Sequence, residues 1–320
     1  MKKSKKIALA VACILIAGGI CISVGAMFVM DFKLEEISSV KPVSNSYNIS
    51  ENFSGISVDG AECDVLFAVS NDDTCNVVCD ESDKVYHLVT VENDTLTIKR
   101  KDTRKWYEYI GFFWTKMKVT VYLPQSEYGA LNVSIASGDA EIGGNLHFEE
   151  AKLSSASGDI IFSGTVQKSL SLKVASGNVK VSNSFSESLD AKSASGDIKI
   201  SSFKATGDMH LKCASGDIEI VDAECLNMKA EAASGDIEFS RVVAVGHSAV
   251  ETASGDIELS DCDSATLFLK SGSGDITGTL LTEKIFYTDT GSGKVRVPYS
   301  SDGGKCEIKT GSGNIEFSIK

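Results

Sequence analysis

The phrase Ser-Gly-Asp, or a one-residue edit of it, recurs ten times from Ser137 onward, at steps of 19 or 20 residues. A period held that tightly describes a stack of equivalent turns, each burying its apolar face only against its neighbours. Seven copies are intact, with their glycines at Gly138, Gly158, Gly196, Gly216, Gly235, Gly255 and Gly274. Three are edited: Ser176-Gly177-Asn178, Ser292-Gly293-Lys294 and Ser312-Gly313-Asn314.

The flanking residues define the unit. Before each phrase, alternate positions are apolar or small, as in Leu170, Leu172, Val174 and Met209, Leu211, Cys213; after it come pairs such as Ile160/Phe162, Ile198/Ile200 and Ile218/Ile220. Polar residues fill the gaps, among them Lys173, Lys192, Lys212, Lys199, Glu219 and Glu238. Alternation with period two is a strand with one face in and one face out. The unit is therefore strand, tight corner, strand and a more variable return. Glycine takes the corner because it tolerates positive φ. Stacked at the strand spacing, ten units make an all-β parallel β-solenoid about 50 Å long.

Length and charge agree with one elongated array rather than two globules, since a solenoid core grows along one axis. The net charge of −13 becomes −17 once the four lysines among residues 2–6 are set aside. An acidic surface argues against a nucleic-acid partner and suits an extracellular body. Nine cysteines at irregular spacing are no disulfide framework, although one bridge in the N-terminal part stays open. Cys213 and Cys306 fall on inward positions as small hydrophobes. Cys75 and Cys79 lack the paired motifs of a zinc site, so neither a metal nor a cofactor is expected.

The chain divides into a basic tail (1–6), an uncharged apolar run (7–30), a polar tether (31–46), an irregular β region (47–133) and the ladder (134–320). The apolar run can cross a bilayer as a helix, with the lysines cytoplasmic and everything after Asp31 outside. Cleavage after Ala26 is the rival reading, but the run is longer than a typical signal core. A lipoprotein box before Cys13 lacks its leucine. The expectation is a single-pass membrane protein with an extracellular C-terminal domain. Residues 47–133 read as strands that start and cover the stack, with Asn93-Asp94 as a hairpin turn. The final coil has no cap, and would be an adhesive edge for a partner or a second copy.

Three features invite a functional reading. Residues 101–118 gather Trp106, Tyr107, Tyr109, Phe112, Phe113 and Trp114 among lysines and Arg104. They form either a plug over the solenoid end or a patch for lipid headgroups or a partner. The Asp column, from Asp139 to Asp275, could bind calcium, but Asn178, Lys294 and Asn314 interrupt it. The simpler reading is that each carboxylate accepts a backbone N–H, which Asn does equally well. The small residues before each Ser, from Ala136 to Gly311, leave a flat strip that could template a glycan or merely relieve crowding. Catalysis is not expected. Uniform steps leave no room for a cleft-forming loop, the four histidines (His87, His147, His210, His247) share no register, and no catalytic motif appears.

The repeat Ala-Ser-Gly-Asp-Ile-x-Ile, preceded by Phe53-Ser54-Gly55-Ile56-Ser57-Val58, Asp64-Val65 and Val119-Thr120-Val121-Tyr122-Leu123-Pro124, resembles the bacterial "putative adhesin" β-helix family, a domain of unknown function. The resemblance covers residues 47–320. It implies a right-handed β-helix on an envelope protein, often held by one membrane span. Some members accompany envelope-stress and antimicrobial-peptide responses, and the resemblance brings no catalytic residues. Three functions follow as expectations: adhesin or scaffold, an envelope-stress component capturing cationic peptides or lipid, and a glycan-active β-helix enzyme.

Overall fold

The structure, a computed structural model, describes residues 42–106 and 117–320 together with Ile16, Gly18, Gly19 and Gly25. The chain forms two compact units. The first comprises Met1–Val43 and Thr103–Thr115. Its described residues include the four isolated positions, all helical, and the exposed Trp106. The rest of the expected span at 7–30, and Tyr107, Tyr109, Phe112, Phe113 and Trp114, lie outside the described residues. Among the described residues no helix is long and apolar enough to cross a membrane.

The second unit, Ser44–Asp102 with Lys116–Lys320, is an all-β parallel solenoid. Its register is the sequence period itself. Ile160 pairs with Val179, Val179 with Ile198, Ile198 with Ile218, Ile218 with Ile237, Ile237 with Ile257 and Ile257 with Ile276. These side chains form one file through the core, each fully buried. Burying each such side chain is worth about 2 kcal/mol, so the repeat of β-branched residues is the principal stabilising term.

Two corners bend each regular rung. Eight of the ten ladder glycines have φ between 123° and 159°. Crowding makes the demand stricter than conformation alone, since a Cβ on Gly216 would lie 2.5 Å from the carbonyl oxygen of Gly196. The second corner sits seven residues after the Ser, at Asn183, Ser202, Asp222, Arg241 and Asp261, with φ of 48° to 56°. The variable return is thus a third inward-facing segment, burying Phe203 and Ala205, Ala223 and Cys225, or Val242 and Ala244. Polar and charged residues mask this corner in the sequence because they are not the glycine that left-handed backbone usually selects.

Six strands build the N-terminal end: β1 (Val43–Ile49), β2 (Gly55–Val69), β3 (Cys75–Glu81), β4 (Val85–Glu92), β5 (Thr95–Asp102) and β6 (Met117–Leu123). β1 begins inside the stretch read as tether. β2 supplies one whole rung, paired on one side to the first ladder rung at Leu131–Ser137 and Ala140–Ile142 and on the other to β5 and β6. The rung later in sequence is therefore outermost. β3 runs antiparallel to β6, and β4 antiparallel to β5 through a turn at Asn93 and Asp94, with φ of 50° and 60°. β1 pairs with β3. These strands lie at the N-terminal end of the stack, with β3 and β4 against its outermost rung.

The C-terminal end repeats the exchange. Leu267–Ser271 pairs with Cys306–Thr310, and that strand pairs on its other edge with Lys284–Thr290. Ile276–Leu280 likewise pairs with Ile315–Ile319, which pairs with Val295–Arg296. The corner glycines follow the same order, Gly274 to Gly313 to Gly293, with N–H···O distances of 3.2 Å at both steps. The last coil in sequence is therefore sandwiched, and the edge expected of it passes to the coil before it. Among the described residues, the open edge at this end belongs to Lys284–Thr290 and Val295–Arg296. Equal spacing of the Ser-Gly-x copies conceals the exchange, because either order satisfies the same corner.

All seven cysteines from Cys63 onward are free and buried. Cys213 donates its S–H to the Gly196 carbonyl at 3.1 Å, as the Ser193 hydroxyl does to Gly177 and the Thr252 hydroxyl to Gly235.

Candidate functional site

The Asp column is a hydrogen-bonded ladder. Oδ1 of Asp139 accepts the N–H of Asp159 at 2.8 Å, Asp159 accepts Asn178 at 2.7 Å, and Asn178 accepts Asp197 at 2.9 Å. Asp197, Asp217, Asp236 and Asp256 continue it at 2.7–3.1 Å, and Asp275 passes it to Asn314 at 2.7 Å. The N–H belongs to the next rung rather than to the same corner, so the carboxylates tie rung to rung. The two asparagines do more than substitute. Nδ2 of Asn178 donates to Asp159 at 3.2 Å, and Nδ2 of Asn314 to Asp275 at 3.3 Å, which places a donor where a like charge would repel.

The column extends past its sequence motif. Asp64, in a Glu-Cys-Asp-Val context with no glycine, accepts the N–H of Asp139 at 2.9 Å. Lys118 stands opposite Asp64 in the outermost rung. At the far end Asn314 accepts the N–H of Lys294 at 3.1 Å. Sequence order placed Lys294 inside the column, whereas the rung exchange moves it to the tip. Both ends of the acidic file thus finish on a lysine.

A second acidic file runs beside it. Glu219, Glu238 and Glu258 stack in register. Burial, then Glu258 and Glu219, hold Glu238 above the usual carboxylate range. Lys199 closes one end of this file, 2.9 Å from Glu219. The small-residue strip is exposed throughout, and a Cβ on Gly272, Gly291 or Gly311 would come within 2.4–2.5 Å of a neighbouring carbonyl. Crowding accounts for glycine at those three positions.

The covered end holds a cluster that sequence reasoning missed. β3 points Cys75, Val77, Cys79 and Glu81 inward, so a carboxylate occupies a core position. A turn at Ser82–Lys84 brings His87 of β4 against it. Oε1 of Glu81 accepts the His87 backbone N–H at 2.6 Å and lies 3.3 Å from Nδ1 of the same residue. Its Oε2 accepts Asn45 Nδ2 at 2.6 Å and the Tyr47 hydroxyl at 2.9 Å. One ligand-type atom from each of Cys79, Glu81 and His87 lies within 4.8 Å of the other two. All three residues are buried, and His87 Nε2 has no hydrogen-bond partner.

The charge states follow from the surroundings. Burial alone would raise Glu81, but hydrogen bonds from Asn45, the His87 N–H and Tyr47 outweigh it and hold the carboxyl below its usual range. Burial pushes His87 down despite Glu81, so the imidazole is neutral at pH 7. Its proton belongs on Nδ1, facing the carboxylate, and Nε2 keeps a lone pair. Cys79 is pushed up to about 12, first by burial and then by Glu81 and Cys63. The only sequence signal was Glu81 and His87 at inward positions of apolar strands.

The profile of the Toastrack DUF4097 family matches residues 53–248 and 226–320. The chain belongs to that family. Toastrack DUF4097 is a domain of unknown function with a β-solenoid fold. No curated protein matches the sequence. Among solved structures, this Toastrack chain is similar to a "putative adhesin" from Bacteroides fragilis NCTC 9343, at 16% identity over 88% of this chain and 99% of that one, with a TM-score of 0.46. A "putative adhesin" from Parabacteroides distasonis ATCC 8503 is 14% identical over 87% and 98%, with a TM-score of 0.37. A "putative lipid binding protein" from the same strain is 15% identical over 88% and 98%, with a TM-score of 0.35. Of the aromatic patch predicted for the Toastrack chain, the structure places Trp106, exposed by 78%.

Proposed function

We propose that the chain is a membrane-anchored, extracellular binding and structural protein of the bacterial cell envelope, an adhesin or scaffold that works without catalysis. The observation that carries this reading is the uninterrupted ladder. From Ser137 to Leu280 every rung has the same corner in the same register, so outward side chains alone make the surface. Such a wall offers many equivalent shallow contacts and no enclosed place to shield a reacting bond from water. The uncharged run at 7–30, behind four lysines, supports an anchor with the solenoid outside. The test is capture of envelope components by residues 44–320, run beside a polysaccharide turnover panel. Retained binding without turnover is expected, and turnover would establish the enzyme reading instead.

A second reading has its own observation. The paired acidic files Asp217, Asp236, Asp256 and Glu219, Glu238, Glu258 make one face strongly negative, which suits capture of cationic peptides. The exposed Trp106 suits lipid contact. Deleting residues 101–118 would cut into β5 and β6, so the deletion that separates the readings is confined to 103–116. Loss of a peptide or lipid response in the folded variant favours capture, and an unchanged response favours adhesion.

A further inference from the structure

The buried imidazole of His87 needs a physical account. Burying a polar ring costs free energy unless its surroundings compensate for it. Its neighbours could have been apolar, as inward positions of β3 otherwise are. Instead they are a thiol and a carboxylate, and the carboxylate fixes the ring. Nδ1 of His87 and Oε1 of Glu81, 3.3 Å apart with the Cys79 sulfur within 4.8 Å, stand at the spacing of ligands around one metal ion.

We propose that Cys79, His87 and Glu81 hold one Zn2+ ion at the covered end of the solenoid. Cys79 contributes its sulfur, His87 its Nδ1 and Glu81 its Oε1, the ion replacing the Nδ1 proton, which moves to Nε2. Sulfur, imidazole and carboxylate together suit Zn2+ better than calcium or magnesium, which take oxygen sets. The charges balance: Cys79 releases its proton to solvent as the Zn–S bond forms, and thiolate plus carboxylate neutralise the ion. Burial of all three residues makes this a structural site rather than a catalytic one. The ion would tie β3 to β4, the two antiparallel strands that close the stack, while Glu81 already fastens β1 through Asn45 and Tyr47.

The test is Co2+ titration of the reduced full chain in detergent micelles. The expected result is a thiolate-to-cobalt charge-transfer band with tetrahedral visible bands, saturating at one equivalent and erased by Zn2+. Cys79→Ser should abolish the charge-transfer band. His87→Gln should weaken binding at least about tenfold. Cys213→Ser, a buried thiol in the ladder, should leave both unchanged. Absence of the band in the wild type, or its persistence in Cys79→Ser, overturns the proposal. A second measurement needs no variant: the thermal midpoint of the wild-type chain should rise with Zn2+ over that in a chelator, and an unchanged midpoint overturns the proposal equally.

Discussion

The two ends of the solenoid solve the same problem by halves. At each end the last two rungs exchange places, so that β2 lies inside β5 and β6, and Gly304–Thr310 lies inside Lys284–Thr290. Only the N-terminal end then adds antiparallel strands over its outermost rung. The exchange and the cover are therefore separate devices. The exchange gives each outermost rung chain connections on both sides and buries the rung nearest the chain end. The cover satisfies an exposed strand edge, and the C-terminal end goes without it among the described residues.

Substitutions at matched positions can break or sharpen this comparison. The largest effect is expected at the corners. Gly138 has φ of 123°, and a Cβ there would lie 2.3 Å from the Cys63 carbonyl oxygen, so Gly138→Ala should cost about 4 kcal/mol in urea unfolding. Gly293→Ala meets the Gly313 carbonyl oxygen at 1.9 Å, but its rung is held on one side only and can yield. Its cost should be less than about half as much. Equal losses would mean that the open end is as rigid as the covered one. The next effect tests the exchange directly. Ile315→Ala, in the last strand of the chain, should cost about 3 kcal/mol because that strand is sandwiched. Val295→Ala, 41% exposed on the outermost rung, should stay within about 0.5 kcal/mol. A chain stacked in sequence order would reverse that ranking.

Smaller effects probe the acidic files. Asn314→Asp removes the Nδ2 bond to Asp275 and sets two carboxylates side by side, one rung in from the open end. The loss should be about 1 kcal/mol at low salt and should shrink as salt is added. The smallest effect is a mid-stack reference that neither end reaches. Glu238 has a raised pKa in the folded chain, from burial and then from Glu258 and Glu219. The folded state therefore keeps that proton to higher pH than the unfolded state, and wild-type stability falls as pH rises between the two values. Glu238→Gln should raise the thermal midpoint above that window and match the wild type below it. A midpoint difference independent of pH would show that the repulsion is not responsible.

Much of this was legible in the residues. The period, inward positions, first corner, hairpin at Asn93-Asp94 and backbone role of the Asp column all follow from local chemistry that repeats. What could not be read was global. The ladder copies are interchangeable, so nothing local shows whether Gly293 or Gly313 lies beside Gly274. The left-handed corner at Ser202 or Arg241 carries no glycine to mark it. Asp64 joins the column through pairing across more than seventy residues, with Cys63 where the glycine would be. Cys79, Glu81 and His87 converge only because a short turn folds β4 back beside β3.

The exchanged rungs also decide how the solenoid would respond to tension. In an array wound in sequence order, a pull on the C-terminus would peel away the last rung and then the next, each at a low force. Here the strand that takes the load, Ile315–Ile319, is gripped along both edges, by Ile276–Leu280 and by Val295–Arg296. It must shear past both neighbours at once, so the end gives way in a single high-force rupture rather than unravelling rung by rung.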